Sequence, residues 1–486
     1  MVKEFIVAIE LGSSKMTGIA GRKNPDGSMT ILAVAKEDST SYIRKGVVYN
    51  IDKTAQGLSN IISKLKNTLQ TDINQVYIGV GGQSIHSIKN PIIKDLPIDA
   101  IVSQDIVNEL MDINRNMVYQ DFEILDAITE EFKVDSQYQD DPVGIQAKRL
   151  EGNYLNILWR RAFYRNLNKS LENAGISIAE LYIAPLVMAD CVLTEPEKRA
   201  GCALVDLGAE TTTVSVYFRN KLRYIAVLPL GSNNITKDLE AEPLNIENAE
   251  AEALKLKYGC AYTEPEDVDV KELIPVDGNR SIKKITFIEL VEARLLEIIE
   301  NVNNMIPIEY KDKLLGGIVL TGGGCNMKNI DTAFRNVTKI NKVRIAKGTT
   351  LNINTKDSNV SLPENGTYNT ILSLLSKGNL NCAGREFNQS LFENLDEKET
   401  VNSANPTTTT TTATVNIVNP ETVYSGTTVN APKPEPKEEK PEPKEENTEH
   451  KVVEEKHEKK TSWFGKLATS LSNFGKSLVE PETDNN

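Results

Sequence analysis

The sequence predicts an α/β protein of two related lobes with inserted subdomains, followed by a disordered linker and a terminal amphipathic helix. Three observations predict it. First, Ala203-Leu-Val-Asp-Leu-Gly-Ala-Glu-Thr-Thr-Thr-Val-Ser-Val-Tyr217 runs from an apolar strand through an acidic residue and a glycine into an alternating return strand. Ile6-Val-Ala-Ile-Glu-Leu-Gly-Ser-Ser-Lys-Met-Thr-Gly-Ile19 repeats that order, with Glu10 aligned to Asp206, Leu11 to Leu207, Gly12 to Gly208 and Thr17 to Thr213. Two such copies point to a duplicated domain whose halves face one another. Second, strand patterns followed by crossing helices surround the hairpins, as in an α/β lobe. Third, from about Phe387 the composition collapses before an amphipathic segment.

At 486 residues the chain exceeds one ordinary domain. Its formal charge of −13 argues against general nucleic-acid binding, since no phosphate-neutralising basic face is evident in the sequence of the folded part. Cys191, Cys202, Cys260, Cys325 and Cys382 are scattered without a C-x-x-C pair, as structural thiols of a reducing compartment are. Met-Val-Lys-Glu-Phe5 lacks a signal-peptide core and no apolar run reaches membrane-spanning length, so the expected location is cytoplasmic unless something attaches the chain to a membrane.

Taken in order, Phe5–Ile9, Met16–Arg22 and Met29–Ala35 read as strands, with a turn at Asn24-Pro-Asp-Gly27. Ala55, Leu58, Ile61, Ile62, Leu65 and Leu69 predict a helix over 52–69, and Val76–Val80 a buried strand. Residues 84–164 break the duplicated pattern. A helix near Gln104–Tyr119 and strands near Glu123–Val134 and Gln146–Trp159 make them an inserted α/β subdomain that offers a contact surface. A helix over Arg161–Asn173, stopped by Gly175, a strand over Leu181–Ala184 and a helix over Pro185–Leu193 lead to the second hairpin. Helices follow at Asn248–Tyr258 and Thr286–Met305, then the strand Gly317-Ile-Val-Leu-Thr321 ending in Gly322-Gly-Gly324. Neither G-x-G-x-x-G nor the Walker pattern occurs.

The Thr407–Thr412 run and the Pro, Lys and Glu alternation over Pro432–Lys444 predict a disordered linker over 387–460. Its r.m.s. reach as a coil is roughly 45–50 Å. On a helix over 461–479, Trp463, Phe464, Leu467, Leu471, Phe474 and Leu478 fall within an arc of about 100°. Lys466 and Lys476 lie off that arc and Thr461 or Ser462 caps it. Aromatic anchors beside lysines favour an anionic membrane surface, with a partner groove or back-docking as the alternatives.

The chemistry lies at the hairpin tips. Glycine and small side chains leave backbone N–H groups open to a phosphate, and a neighbouring carboxylate suits a hydrated divalent cation. Alone, the threonine run is plain strand propensity. Together, the three glycine-rich strand ends resemble the actin, Hsp70 and sugar kinase superfamily, whose phosphate loops they match at the hairpins and whose adenosine loop they match at Gly322–Gly324. Glu252 and Lys255, one helix turn apart, are similar to that superfamily's ribose and adenine contacts, although such a pair also suits a solvated helix face. Within it the match narrows to the FtsA family of bacterial division proteins. Glu10, the Ile43-Arg-Lys-Gly-Val-Val-Tyr-Asn-Ile-Asp52 segment, Asp141-Pro-Val-Gly144 with Arg149-Leu-Glu151, Ile318-Val-Leu-Thr-Gly-Gly323 and the amphipathic end carry that resemblance.

The resemblance implies a two-lobed, actin-like (ribonuclease H-like) duplicated fold. It divides the chain into subdomain 1A (1–83 and 165–200), an inserted 1C (84–164), 2A (201–231 and 316–386) and an inserted 2B (232–315). It implies ATP and Mg²⁺ between the lobes, filament formation by self-association and membrane attachment at the division site. It also implies capture of the C-terminal peptide of FtsZ, the tubulin-like division protein, by 2B near Arg294, and contact with later divisome membrane proteins. Gly12, Ser13, Ser14 and Lys15 would cradle phosphate, with Lys15 alternatively on the surface; Gly208, Thr211, Thr212 and Thr213 would do so from the other lobe. Asp206, assisted by Glu10, would hold Mg²⁺ through water. Gly322, Gly323 and Met327 would flank the base, with Met327 alternatively in the core. Ala184 stands before Pro185, where relatives in the superfamily carry a water-positioning glutamate, so tight ATP binding with at most weak hydrolysis is expected. A sugar or metabolite kinase, an Hsp70-like chaperone and a pilus-assembly actin homologue are the competing readings.

Overall fold

Short apolar runs rich in β-branched residues start each lobe. In a computed structural model, which describes residues 4–383 apart from 265–270, 277, 279 and 356–359, they form two sheets of like topology. In the first lobe, β1 (Ile6–Leu11), β2 (Lys15–Lys23) and β3 (Met29–Asp38) make an antiparallel meander. A two-residue pair, β4 (Ile43–Arg44) and β5 (Val47–Val48), precedes α1 (Ile51–Leu69). The Asn50 side chain accepts from the Lys53 N–H to start α1, and Gln70, left-handed at φ 52°, ends it. Leu58, Ile61, Ile62 and Leu65 bury its inner face. The strand β6 (Gln75–Val80) then lies parallel to β1.

The insertion comprises β7 (His86–Asp95), α2 (Gln104–Arg115), β8 (Phe122–Val134), β9 (Gln137–Gln139) and β10 (Arg149–Arg160). It has a core of its own around Leu110, Phe132, Leu150 and Tyr154. Strand β7 is not legible in the sequence because Pro91 interrupts it. Pro91 lies beyond the single bridge to the second lobe, where β10 alone continues the ladder, so its missing N–H is tolerated. The predicted helix to Tyr119 stops at Arg115, and Tyr119 instead bridges to Phe122.

From there α3 (Arg161–Ala174), closed by Gly175, leads to β11 (Ser177–Ile183), α4 (Ala184–Val192) and α5 (Glu195–Ala200). The second lobe repeats the first: β12 (Cys202–Leu207), β13 (Thr212–Phe218) and β14 (Lys221–Leu228) form its meander. Then come α6 (Ser232–Glu240), α7 (Asn248–Tyr258), the hairpin β15 (Leu273–Val276) and β16 (Arg280–Lys283), α8 (Lys284–Met305) and α9 (Ile308–Lys311). The return consists of β17 (Gly317–Thr321), α10 (Ile330–Thr338), β18 (Val343–Ile345), β19 (Ile353–Asn354) and α11 (Asn369–Lys377).

The first sheet runs β11-β6-β1-β2-β3-β19 and the second β18-β17-β12-β13-β14, so five strands of each follow one topology. The alignment holds at residue level, because Glu10 pairs with Thr17 and Asp206 with Thr213 across equivalent hairpins. The second sheet continues into the insertion as β7-β10-β8-β9 through the Ala226–His86 bridge. Beside that join, buried Arg223 pairs with Glu130 at 3.3 Å, and the Lys221 ammonium donates to the Glu130 carbonyl at 2.6 Å and to Asp140 at 2.7 Å.

The expectation that 316–386 belongs wholly to the second lobe is corrected. Strand β19 pairs with β3, and Ile371, Leu374 and Leu375 of α11 are fully buried in the first-lobe core, where each such side chain contributes about 1.5–3 kcal/mol. The chain therefore crosses back before residue 353. The predicted linker 387–460 and helix 461–479 lie outside the described residues. No described helix is long and apolar enough to cross a membrane.

An ion pair pins the outward crossing. Arg344 of β18 donates to both Glu197 oxygens of α5, at 2.6 and 2.8 Å, and to the Val192 carbonyl at 2.9 Å. Burial alone would raise the Glu197 pKa, but the Arg344 and Thr194 hydrogen bonds overrule it and hold the carboxyl at about 2. A lowered folded-state pKa adds stability above the ordinary value, which is lost as pH falls from about 4.5 toward 2. Glu197→Gln is expected to cost about 1–3 kcal/mol at pH 7, with the difference from wild type shrinking as pH falls below about 4.5 and closing only as it passes below about 2 in a denaturation series.

Candidate functional site

A cleft of about 870 Å³ lies between the lobes, lined from one side by Glu10 to Lys15 and from the other by Asp206, Gly208, Thr211 and Thr213. Its walls are the strand ends the duplication makes equivalent. At the first, the Ser39 hydroxyl donates to the Gly12 carbonyl at 2.6 Å. At the second, the Gly208 N–H closes a tight turn onto the Thr211 carbonyl at 2.9 Å. The Ser232 and Asn233 N–H groups at the start of α6 donate to the Gly208 and Ala209 carbonyls at 3.0 and 2.7 Å. With these carbonyl oxygens engaged, the tips present less repulsion to an anion.

Two carboxylates face this space. Burial and the Asp206 charge push Glu10 up to about 7, against the pull of Lys15 and a hydrogen bond from Thr370. Burial pushes Asp206 up to about 6. Two acids so raised call for positive charge, which a hydrated divalent cation would supply. Among the described residues no third metal-ligating side chain joins them. Gly322, at φ 89°, passes so close to Asp206 that a methyl there would collide with the carboxylate.

Beyond the acids, Gly322, Gly323, Gly324 and Met327 line the far end together with Glu252 and Lys255. Lys255 is no solvated helix residue: its side chain is 4% exposed and its ammonium lies 2.6 Å from Glu252. It also donates to the Thr236 hydroxyl at 2.9 Å and the Ser232 carbonyl at 3.2 Å, while Thr236 donates to Glu252 at 2.6 Å. This network fastens α7 to α6, and α6 in turn holds the Gly208 loop. Met327 serves both readings, lining the cleft and packing on the second-lobe core.

Two expected site residues lie outside the cleft, and of these only Thr212 is expected from the sequence to line it. The strand pleat turns Thr212 away from the cleft between Thr211 and Thr213, and its hydroxyl donates to the Leu230 carbonyl at 2.9 Å. Arg294 lies outside the cleft on α8, engaging both Asp238 oxygens at 2.5 and 2.8 Å and also Glu297. Trp463, Phe464, Lys466, Leu467, Leu471, Phe474, Lys476 and Leu478 lie outside the described residues. Sequence reasoning missed Thr370, Ser232 and the Asn365–Thr367 turn, all cleft-lining. Only the Asn-Gly dipeptide of that turn carried a local signal. Ala184 lines the cleft beside Pro185 and brings only a methyl group.

The family model "Cell division protein FtsA" matches residues 203–370, and "SHS2 domain inserted in FTSA" matches 82–158. The cell division protein FtsA of Porphyromonas gingivalis is 30% identical over 336 residues, spanning 68% of this chain and 70% of that one. The chain belongs to the FtsA family. It is thereby a cell-division protein of actin-like fold. FtsA of Escherichia coli K12 is 27% identical over 392 residues, covering 77% of this chain and 90% of its own. Among solved structures, a PilM–PilN type IV pilus biogenesis complex superposes with a TM-score of 0.53 at 15% identity, over 76% of this chain and 97% of that one. That likeness is one of fold.

Gly322→Ala tests the close approach. At φ 89° and against Asp206, it is expected to cost about 1–3 kcal/mol in chemical denaturation. Gly348→Ala, whose added methyl meets nothing within 4 Å, is expected to stay within about 0.5 kcal/mol of wild type.

Proposed function

We propose that this FtsA-family chain binds ATP with Mg²⁺ in the inter-lobe cleft, polymerises, and tethers FtsZ to the cytoplasmic face of the membrane at the division site. The observation that carries the nucleotide reading is the pair of equivalent hairpins, each with a raised acid at its tip, opening on one cleft with buried Lys255 at its far end. Gly12, Ser13, Ser14 and Lys15 would bind phosphate oxygens from the first lobe, and Gly208, Thr211 and Thr213 from the second. Asp206 and Glu10 would hold Mg²⁺ through water, and the bound ion would neutralise phosphate charge. Glu252 and Lys255 would meet the ribose, and Gly322, Gly323 and Met327 the base.

Turnover would be slow. With Ala184 beside Pro185, that position offers no side chain to orient an attacking water, and the nucleotide acts mainly as a polymerisation switch. Family membership favours division over pilus assembly or sugar phosphorylation. Subdomain 2B would take the FtsZ C-terminal peptide near Arg294, and the insertion would contact later divisome membrane proteins during septum formation. The sequence pattern of 461–479 supports the membrane tether.

Three measurements test this. In titrations with a fluorescent ATP analogue, Asp206→Asn is expected to weaken Mg²⁺-dependent binding by at least about tenfold; affinity indifferent to Mg²⁺ and to the substitution would overturn the site. Trp463→Glu is expected to release the full chain from anionic liposomes on co-sedimentation while analogue binding persists. Fluorescence anisotropy with an FtsZ C-terminal peptide should show saturable binding, and its absence counts against the tether.

A further inference from the structure

One acidic side chain at the second hairpin tip reaches across to the first lobe. Glu210 Oε2 accepts the Lys45 N–H at 2.8 Å. The next amide, Gly46 N–H, donates to Ser13 Oγ at 2.8 Å. Two successive backbone donors of one turn therefore engage the two hairpin tips that wall the cleft.

The turn is a rigid platform. Lys45 and Gly46 have φ of 50° and 71°, the consecutive left-handed pair that closes a tight two-residue hairpin, here between β4 and β5. The Gln83 N–H donates to the Lys45 carbonyl at 2.8 Å. A methyl added at Gly46 would lie 2.7 Å from Gly82 Cα, so the turn is wedged against the strand end of β6. Ser13 is buried, and its oxygen is already an acceptor for Gly46, which leaves its own O–H free to donate. Glu210 is held from its own lobe by Lys237 at 3.4 Å, and its side chain is 18% exposed. A carboxylate accepting a backbone N–H makes a charge-assisted bond, here at the solvent-exposed rim of the cleft.

We propose that Glu210 is a positioning residue that latches the second hairpin tip to the Lys45–Gly46 turn and so slows the escape of nucleotide from the cleft. This rests on the nucleotide reading above. Glu210 sits two residues past Gly208 and immediately before Thr211, so fixing it fixes the loop that would face the phosphates. Ser13 fixes the opposing loop to the same platform. The turn thereby sets the spacing of the two loops, and losing Glu210 frees one of them.

The test uses the full chain with Glu210→Ala and Glu210→Gln, loaded with a fluorescent ATP analogue and Mg²⁺ and chased with excess ATP in a stopped-flow instrument. Glu210→Ala is expected to raise the release rate by about tenfold, the loss of one charge-assisted bond. Glu210→Gln keeps an acceptor oxygen and is expected to restore most of the retention. Amide exchange at Lys45 in nucleotide-free protein gives a readout independent of ATP: protection in wild type should fall in Glu210→Ala and return in Glu210→Gln. Unchanged release in Glu210→Ala overturns the retention role, and unchanged Lys45 exchange overturns the latch. If wild type fails to take up the analogue, the nucleotide reading falls and the retention role with it, while the exchange result still decides the contact.

Discussion

The enclosure of two carboxylates at equivalent strand ends is the constraint on which the site depends. Glu10 and Asp206 end paired hairpins of like topology, and the cleft that joins the lobes partly shields both from bulk water. Burial raises both carboxyls, and the Asp206 charge raises Glu10 further, so both resist ionisation. Lys15 and the Thr370 hydroxyl pull Glu10 back down, whereas burial alone sets the rise at Asp206. The remaining deficit of positive charge is what the proposed Mg²⁺–nucleotide ligand would meet.

The two ends of the cleft are mechanically joined through α6. Lys255 holds the Ser232 carbonyl, and the N–H of the same Ser232 holds the Gly208 carbonyl. One residue thus passes displacement from the Glu252–Lys255 face to the loop at the second hairpin tip. A buried lysine with three acceptors makes that joint stiff, because any acceptor it loses leaves an ammonium donor unpaired in a sheltered place.

The duplicated hairpins were legible because strand, acid, Leu-Gly and return strand are written in consecutive residues, and the cross-strand register followed from that order. Fourteen residues expected to line the cleft do so, among them Glu252 and Lys255, whose spacing alone could not tell a buried pair from a solvated one. Thr212 was misread because a run of three threonines hides the alternation of the pleat. Helix α11 left little mark: its first residue follows Tyr368, which makes no side-chain cap, and its destination in the other lobe is a matter of tertiary packing. Strand β7 was hidden by Pro91. Glu210 and the Lys45–Gly46 turn meet across 165 residues, a separation no local pattern encodes.

The join between β7 and β14 has a kinematic consequence. The insertion is rooted in the first lobe at both its ends, yet its sheet is the outer half of the second lobe's sheet. Two lobes connected only by their covalent crossings would form an open linkage, able to swing about those strands. The insertion closes that linkage into a loop. Any relative rotation must then either bend the two stalks near residues 81–85 and 159–161 or part the Ala226–His86 bridge and the buried Arg223–Glu130 pair beside it. The first course is a hinge of short backbone segments, the second exposes an ion pair whose separation leaves an uncompensated buried charge. Geometry therefore makes the insertion travel as an outrigger of the second lobe, and a small angle at the cleft becomes a larger displacement at the insertion's far edge.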